Sequence, residues 1–99
     1  MNAELKELAK QAGELAQAQN IKIATAESCT GGLVAAALTY WPGASAWFEQ
    51  GVISYSNEAK NKLLGVSEKL LERYGAVSEE TAAAMCAGVG GHIALAITG

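Results

Sequence analysis

In the N-terminal part of the chain, apolar residues are spaced first as in a helix and then as in a strand. In residues 3–18 apolar side chains recur every three or four positions and charged or amide side chains fill the other face, which predicts an amphipathic helix. Residues 21–26 alternate in the manner of a strand with one more polar face. Residues 31–40 are apolar and rich in alanine, which predicts a largely buried helix that stops at Pro42 and Gly43.

The rest of the chain continues the alternation of strands and helices. Residues 47–55 are aromatic and β-branched, which predicts a strand with a bulge or a close backbone approach at Gly51. Residues 93–97 are apolar on both faces, which is typical of a central strand covered on two sides. The interleaving predicts an α/β layered fold in one domain over residues 1–99. Residues suited to a helix N-cap precede three further helical segments: Ser56 or Asn57, Ser67 and Ser78.

Composition and charge narrow the class of protein. Apolar residues make up 51% of the chain, which favours a packed fold over disorder. The formal charge of -3 argues against binding to nucleic-acid phosphates or to an anionic membrane surface. No apolar run approaches the roughly 20 residues that span a bilayer, and no signal peptide is recognisable. Cys29 and Cys86 form no C-x-x-C pair, so we expect free thiols in a reducing, cytoplasmic compartment.

The end of the sequence suggests an incomplete domain. The last predicted strand runs into Thr98 and Gly99, and nothing follows to cover or continue it. We therefore expect the chain to be truncated at its C-terminus. The apolar surface of an incomplete domain favours self-association, so we also expect a homodimer.

A short motif joins the first predicted strand to the helix after it. Residues 27–32 read Glu-Ser-Cys-Thr-Gly-Gly and combine hydroxyl and thiol side chains with paired glycines. The first N–H groups of a helix lack helical partners and bind anions or a developing oxyanion, and glycine lets a ligand approach closely. An ordinary loop with Ser28 or Thr30 as the helix N-cap explains the same spacing. The candidate ligand contacts are Glu27, Cys29, Thr30, Gly31 and Gly32.

A serine nucleophile needs a base, and the single histidine is poorly placed to be one. His92 precedes the last predicted strand, whereas Ser28 follows the first. In parallel neighbouring strands, a rise of about 3.3 Å per residue puts the two residues roughly 20 Å apart. By the same geometry Thr98 and Gly99 end at the edge where Ser28 lies, which makes them candidate walls of the site.

A lysine acts as the base when burial or nearby positive charge lowers its pKa. Lys60 belongs to a second junction between a strand end and a helix, and Tyr55 precedes it there, so both side chains are placed to face one crevice. The alternative for Lys60 is an ordinary surface position. The chain lacks a metal-ligand cluster, because it has one histidine and scattered carboxylates, so we expect neither a metal nor a cofactor.

Five ordered blocks of the sequence resemble the CinA C-terminal domain family. Together they cover nearly the whole chain after the first helix. Coincidence does not explain five blocks in the same order. The blocks are TAESCTGG at 25–32, PGASAWF at 42–48, GVISYSNEAK at 51–60, GAVS at 75–78 and AITG at 96–99.

The resemblance implies a fold, an activity and a set of catalytic residues. The fold is a three-layer α/β/α sandwich with a mixed sheet, in a family domain that continues past Gly99. The activity is that of a nicotinamide-nucleotide amidohydrolase, which hydrolyses the carboxamide of nicotinamide mononucleotide to nicotinate mononucleotide and ammonia. Ser28 is the implied nucleophile, and Lys60 and Tyr55 assist it. Cys29 is the competing nucleophile within the same motif.

A second function from a different class is also consistent with the sequence. A CinA-type domain fused to a partner enzyme in a competence- or damage-inducible protein could bind a ligand or support assembly without catalysis. The set of Ser28, Tyr55 and Lys60 separates the two functions, because a binding module has no need of all three together.

Overall fold

A computed structural model describes all 99 residues as a three-stranded sheet with helices on both faces. A single 3-10 turn at Ala44–Ala46 precedes the second strand. No helix is both long enough and apolar enough to cross a membrane. The remaining elements, in chain order, are α1 Ala3–Ala18, β1 Ile23–Glu27, α2 Leu33–Leu38, β2 Phe48–Ile53, α3 Asn57–Leu64, α4 Glu68–Tyr74, α5 Glu79–Val89 and β3 Ile93–Ile97.

The three strands lie in the order β2-β1-β3, and both pairings are parallel. The α/β class is therefore confirmed. The mixed sheet implied by the family resemblance is not present in these 99 residues, because each strand returns to the sheet through a helical crossover and so runs in the same direction. All three strands consequently end at one edge, where the Ser28 turn lies.

The central strand is β1 and not β3. Every residue of β1 is buried, because it has a strand on each side and helices on each face. By contrast β3 pairs with β1 alone, and the side chains of Ile93 and Leu95 remain exposed. Within these 99 residues the central position predicted for 93–97 is therefore taken by β1, and β3 has one strand neighbour.

The sheet is the middle of three layers, with one apolar cluster between it and the helices on each face. Helices α1 and α2 cover one face, and α3, α4 and α5 cover the other. The first face buries Trp47, whose indole N–H donates to the Leu38 carbonyl at 2.8 Å. The cluster on that face is Ala9, Ala16, Ile23, Ala37, Leu38 and Trp47. The cluster on the opposite face is Ala24, Ala26, Leu64, Val66, Leu71, Met85 and Val89.

Serine side chains begin the three helices of the second half, as the sequence predicts. The hydroxyl of Ser56 accepts a hydrogen bond from the main-chain N–H three residues on, and Ser67 and Ser78 do the same. Ser56 rather than Asn57 is the cap of α3. This cap fixes where α3 begins after β2, and with it the position of Lys60.

Gly88 marks a very close approach of α5 to the end of α3. A Cβ atom added at Gly88 would lie 2.0 Å from the carbonyl oxygen of Leu64. We expect Gly88→Ala to lower the free energy of unfolding by about 1–3 kcal/mol, because main-chain atoms cannot move aside as a side chain can. Chemical denaturation measures the change.

Helix propensity alone gives the opposite sign for this substitution. Alanine is about 1 kcal/mol more favourable than glycine inside a helix. The control is Ala87→Gly, at the exposed neighbouring position, which reports propensity without the contact. A Gly88→Ala protein that is more stable than the parent would contradict the close approach.

Candidate active site

A buried carboxylate fixes the turn that follows β1. Glu27 is the last residue of β1 and is only 1% exposed. Its Oε1 accepts hydrogen bonds from Thr30 Oγ1 at 2.6 Å and from the N–H of Val34 at 2.9 Å. Its Oε2 accepts from the N–H of Ala35 at 3.0 Å. The carboxylate therefore caps α2 and ties the strand end to the helix start.

This arrangement changes the roles expected from the sequence. The N-cap residue of α2 is Gly32 and neither Ser28 nor Thr30. The Thr30 hydroxyl instead donates to the Glu27 carboxylate, which also accepts from N–H groups in the first turn of the helix. The Glu27 carboxylate faces inward, and its hydrogen bonds within the turn position that turn. The signal that could have found this role is a carboxylate at the end of a fully buried strand, where it must be hydrogen-bonded to be tolerated.

Two opposing effects act on the pKa of Glu27. Burial raises this pKa, whereas the hydrogen bonds from Thr30 and from the N–H groups of Ala35, Val34 and Gly32 lower it. The hydrogen bonds outweigh burial, and the pKa lies below the ordinary glutamate value. The charged form is the one that holds the turn together.

Glu27→Gln is expected to lower the free energy of unfolding at neutral pH by about 1–3 kcal/mol, because an amide replaces the charged acceptor. A depressed carboxyl pKa stabilises the fold above the ordinary glutamate pKa, and this contribution is lost as the pH falls through the folded-state pKa. Urea unfolding measured between neutral pH and the folded-state pKa of Glu27 should show that the difference in unfolding free energy between parent and variant becomes smaller as the pH falls. The control is Glu14→Gln, at an exposed position of α1. An equal loss of unfolding free energy in this control would contradict the role of Glu27, and so would a difference between parent and Glu27→Gln that does not depend on pH.

A buried serine and a buried lysine meet beside this turn. Ser28 directly follows β1 and is 6% exposed, and Lys60 of α3 is 1% exposed. Lys60 Nζ lies 3.2 Å from Ser28 Oγ. The only ion pair in the chain joins Lys62 to Glu58, so Lys60 has no carboxylate partner. The structure thus brings together the two residues that the sequence singled out, and it excludes the surface position for Lys60.

The parallel sheet accounts for this meeting. The N–H of Ser28 donates to the Ile97 carbonyl at 2.9 Å, and the N–H of Ser54 donates to the Glu27 carbonyl at 2.8 Å. These bonds extend the sheet one residue beyond β1 and β2. Because α3 begins immediately after β2, Lys60 is carried back over the end of β1.

Burial lowers the pKa of Lys60, because the ammonium group loses its hydration in the interior. An electrostatic interaction with Cys29 opposes this shift and raises the Lys60 pKa, but the net direction is downward. A larger fraction of Lys60 is therefore the neutral amine near neutral pH than for an exposed lysine. A neutral amine is the form that accepts a proton.

Tyr55 contributes its main-chain carbonyl and not its phenol. The Tyr55 side chain is 71% exposed. Its carbonyl oxygen accepts from Lys60 Nζ at 3.0 Å and from Ser28 Oγ at 3.3 Å. The predicted crevice shared by the side chains of Tyr55 and Lys60 is thus not formed. No sequence signal identifies a carbonyl contact of this kind, because every residue has a carbonyl.

The N–H groups of the turn are mostly occupied. Gly31 N–H donates to the Ser28 carbonyl at 3.1 Å, and Leu33 N–H donates to the Thr30 carbonyl at 3.2 Å. The main-chain N–H groups of Cys29 and Thr30 have no acceptor within the chain. These two donors lie next to Ser28. They are main-chain donors available to an oxyanion beside Ser28.

The ends of β3 and of the turn come together as predicted. A Cβ atom added at Gly99 would lie 3.4 Å from Cys29 Sγ, so Gly99 is adjacent to the turn. The hydroxyl of Thr98 points elsewhere and donates to the Ala76 carbonyl at 2.6 Å. Cys29 is exposed and Cys86 is partly buried, and neither forms a disulfide.

His92 lies at the opposite edge of the sheet from Ser28. Its Nδ1 accepts a hydrogen bond from the N–H of Lys22 at 2.8 Å, just before β1 begins. The Lys22 ammonium in turn donates to the Ser45 carbonyl. These hydrogen bonds give His92 and Lys22 structural roles, and they hold the histidine far from Ser28.

Ser54 is a buried polar residue beside the Glu27 turn that the sequence analysis did not single out. It follows β2 directly, is fully buried, and its Oγ has no hydrogen-bond partner.

None of the four cavities is lined by Ser28 or Lys60. The largest, of about 560 Å³, lies instead between α3 and α4 and includes Glu68 and Leu71. The 99 residues therefore hold reactive groups without a substrate cavity around them.

The sequence over residues 5–99 matches the model of the CinA C-terminal domain. That match covers nearly all of the chain. The chain belongs to the CinA C-terminal domain family. The family assignment agrees with the resemblance carried by the five sequence blocks.

Similar proteins within the family carry two kinds of name. The chain is 48% identical over 99 residues to the nicotinamide-nucleotide amidohydrolase PncC of Enterobacter agglomerans, covering 96% of this chain and 60% of that protein. It is 47% identical over 87 residues to the PncC of Escherichia coli K12, covering 88% of this chain and 53% of that protein. It is 57% identical over 91 residues to a CinA-like protein of Chloroherpeton thalassium, of which it covers 22%.

Solved structures of the family share this fold. The competence/damage inducible protein CihA of Agrobacterium tumefaciens superposes with a TM-score of 0.95 at 39% identity, over 100% of this chain and 62% of that one. A CinA superfamily protein of Klebsiella pneumoniae 700603 gives a TM-score of 0.93 at 37% identity, over 100% of this chain and 63% of that one. The chain therefore spans three fifths or less of the PncC proteins and about a fifth of the CinA-like protein.

Proposed function

We propose that this chain is the catalytic part of an amidohydrolase that converts nicotinamide mononucleotide to nicotinate mononucleotide and ammonia. The observation that carries the proposal is the 3.2 Å contact between Ser28 Oγ and the buried, unpaired Lys60 amine. A nucleophile next to a base of lowered pKa is what acyl transfer to serine requires. The names of the PncC relatives supply the substrate class, a nicotinamide nucleotide, and the family resemblance supplies the mononucleotide.

The first half of the reaction forms an acyl-enzyme. Neutral Lys60 takes the proton of Ser28 Oγ, and the oxygen attacks the carboxamide carbon. The Tyr55 carbonyl accepts one N–H of Lys60, which directs the amine lone pair toward Ser28. The carbonyl oxygen of the substrate becomes an oxyanion, and the N–H groups of Cys29 and Thr30 bind it.

The second half releases both products. The Lys60 ammonium returns its proton to the amide nitrogen, the carbon–nitrogen bond breaks, and ammonia leaves. Lys60, again neutral, takes a proton from a water molecule that attacks the acyl carbon, and then returns it to Ser28 as the carbon–oxygen ester bond breaks. Nicotinate mononucleotide leaves, and the scheme uses no metal and no cofactor.

Substrate contacts are proposed at the exposed rim of the turn. Thr30, Gly31 and Gly32 lie on one side of Ser28, and Thr98 and Gly99 lie at the end of β3 on the other. Cys29 is exposed beside the nucleophile. The phosphate and ribose of the substrate extend past this rim, where the 99 residues form no cavity.

Ammonia release from nicotinamide mononucleotide tests the proposed activity. The expected result is equal molar amounts of ammonia and nicotinate mononucleotide, with no reaction on free nicotinamide. The full-length E. agglomerans PncC serves as the positive control, since it contains the matched region. A folded chain that releases no ammonia at any substrate concentration would contradict catalysis by these 99 residues.

A non-catalytic ligand-binding or assembly module is the second candidate function. It is favoured by the absence of a cavity at Ser28 and by the competence/damage-inducible names of the structural relatives. Such a module binds the nucleotide without hydrolysing it. Calorimetry with nicotinamide mononucleotide, followed by product analysis of the same sample, separates binding from turnover.

The proposal also includes a setting in the cell. We place the protein in the cytoplasm, where free thiols persist and pyridine nucleotides are recycled. Its net charge of -3 disfavours nucleic acid as a partner. We also include self-association as a homodimer, because large apolar side chains are exposed on the sheet and on α1.

A further inference from the structure

Ser54 lies opposite Ser28 on the neighbouring strand. The last pair in the register of β1 and β2 is Glu27 with Ile53. The N–H of Ser54 donates to the Glu27 carbonyl at 2.8 Å, which continues this register by one residue. Ser28 and Ser54 are therefore lateral neighbours on two parallel strands, which lie about 4.8 Å apart.

Both hydroxyls point to the face of the sheet that α3 covers. Successive side chains of a strand point to opposite faces, so Ser28 shares a face with Ala26, and Ser54 shares one with Val52. Ala26 and Val52 both pack in the apolar cluster beneath α3, α4 and α5. Lys60 reaches the strand ends from α3 on this same face.

The amine of Lys60 lies between these two strand ends with one donor to spare. Its Nζ is 3.2 Å from Ser28 Oγ and 3.0 Å from the carbonyl oxygen of Tyr55, the residue directly after Ser54. An ammonium group has three N–H donors, and Lys60 has only these two acceptors. The third donor has no partner.

The hydroxyl of Ser54 is an acceptor without a donor. Ser54 is fully buried, and its Oγ has no hydrogen-bond partner. A buried hydroxyl in this state is unusual, because desolvation without a hydrogen bond is unfavourable. An unmatched donor and an unmatched acceptor thus lie on one face at adjoining positions, and the flexible stem of lysine lets the amine reach both serines.

We propose that Ser54 is a positioning residue for Lys60, and that its Oγ accepts the third N–H of the ammonium that forms when Lys60 takes the proton of Ser28. Ser28 Oγ, the Tyr55 carbonyl and Ser54 Oγ are then the three acceptors of this ammonium. In the neutral amine the two N–H groups go to Tyr55 and Ser54, and the lone pair faces Ser28. This role rests on the proposed function, in which Lys60 is the base.

Cys29 is the titratable group that interacts electrostatically with Lys60. The Glu27 carboxylate is bound to α2 on the opposite face of the sheet. Every other charged side chain of α3, α4 and α5 is exposed. A Cys29→Ala background therefore removes the neighbouring titration from measurements of pH dependence.

The pKa of Lys60 in Ser54→Ala tests the contact without any substrate. Loss of an acceptor disfavours the charged amine, so this pKa should fall by about one unit relative to the protein that keeps Ser54. Both proteins carry Cys29→Ala. NMR titration of carbon-13-labelled lysine side chains measures the pKa, and Lys60→Met assigns the signal.

Kinetics of the same two proteins test the role in turnover. The midpoint of kcat/KM should move to lower pH by the same amount as the Lys60 pKa. The plateau of kcat should fall about tenfold with KM within about twofold, because Ser54 acts through Lys60 and contacts no substrate. Ser54→Thr keeps the hydroxyl and should restore the midpoint.

Thr25 provides the matched control. Its hydroxyl is also fully buried and without a partner. It lies on the opposite face of the sheet, since it alternates with Ala24 and Ala26. Thr25→Val removes this hydroxyl and should leave both the Lys60 pKa and the kcat/KM midpoint unchanged.

The outcomes separate this role from the proposed function. A Lys60 pKa that is the same with and without the Ser54 hydroxyl would overturn the role, whether or not the chain releases ammonia. An equal fall in Thr25→Val would also overturn it. A fall confined to Ser54→Ala in a chain without ammonia release would support the contact and contradict the proposed function. If Ser54→Ala fails to fold, Ser54→Cys, whose thiol is a weak acceptor, should give the fall instead.

Discussion

Replacing Ser28 by alanine is expected to lower kcat for ammonia release from nicotinamide mononucleotide by at least about 1,000-fold, because no acyl-enzyme forms without the hydroxyl. The fold should survive, since Ser28 Oγ makes contacts only with Lys60 and Tyr55. Steady-state ammonia release and thermal unfolding of the same preparation measure both consequences. Binding of the nucleotide should be retained.

The matched control for this prediction is Cys29→Ala. Cys29 is the adjacent nucleophilic side chain and is exposed. The account predicts that its loss leaves ammonia release within a few-fold of the parent. Loss of activity in Cys29→Ala with full activity in Ser28→Ala would move the nucleophile to the thiol.

Replacing Lys60 by methionine is expected to have opposite effects on activity and stability. Loss of the general base should lower kcat by about 100- to 10,000-fold. Stability should rise by about 1 kcal/mol or more, because an apolar side chain of similar length replaces a buried amine without a charged partner. Kinetics and urea unfolding of one preparation measure both. A variant that is less stable than the parent would contradict an uncompensated lysine.

The pH dependence follows from the lowered pKa of Lys60. The active form is the neutral amine, so kcat/KM should rise with pH to a midpoint below the ordinary lysine pKa. The unfolded chain binds the proton more tightly than the folded chain, so stability should also rise between the two pKa values as pH increases. Lys60→Met should abolish this rise in stability. A midpoint at the ordinary lysine pKa would show that burial does not tune the base.

The sequence predicted the elements and the meeting of Ser28 with Lys60. Helix starts were predictable because Ser56, Ser67 and Ser78 carry local capping chemistry that does not depend on tertiary contacts. The site was predictable because the carboxyl ends of parallel strands share one edge. The first kind of prediction rests on local sequence, and the second on a general rule of parallel sheets.

The errors concern features that only the assembled fold decides. Apolar residues at 93–97 suit a strand with one neighbour as well as one with two, so the number of neighbours that β3 has within these 99 residues could not be predicted from them. The direction of the Tyr55 side chain depends on how β2 leaves the sheet, and it is outward. The hydrogen bonds of Glu27 could not be predicted either, because the sequence does not show that the first N–H groups of α2 donate to its carboxylate.

Glu27 and Lys60 are both buried at the site, but Glu27 positions the turn whereas Lys60 is proposed to take part in the chemistry. Both are buried and ionisable, but the Glu27 carboxylate accepts several hydrogen bonds from the turn and from α2, whereas Lys60 contacts only a hydroxyl and a carbonyl. The satisfied carboxylate holds the turn, and the poorly satisfied amine is left to react. Perturbed pKa values cluster at functional sites.

Peptide mass spectrometry of the protein quenched in acid during turnover of nicotinamide mononucleotide tests the central claim most directly. The account predicts that fragmentation locates a nicotinoyl-mononucleotide ester on Ser28, and that the ester disappears in Ser28→Ala. An acyl group on Cys29, or ammonia release at the parental rate from Ser28→Ala, would contradict it.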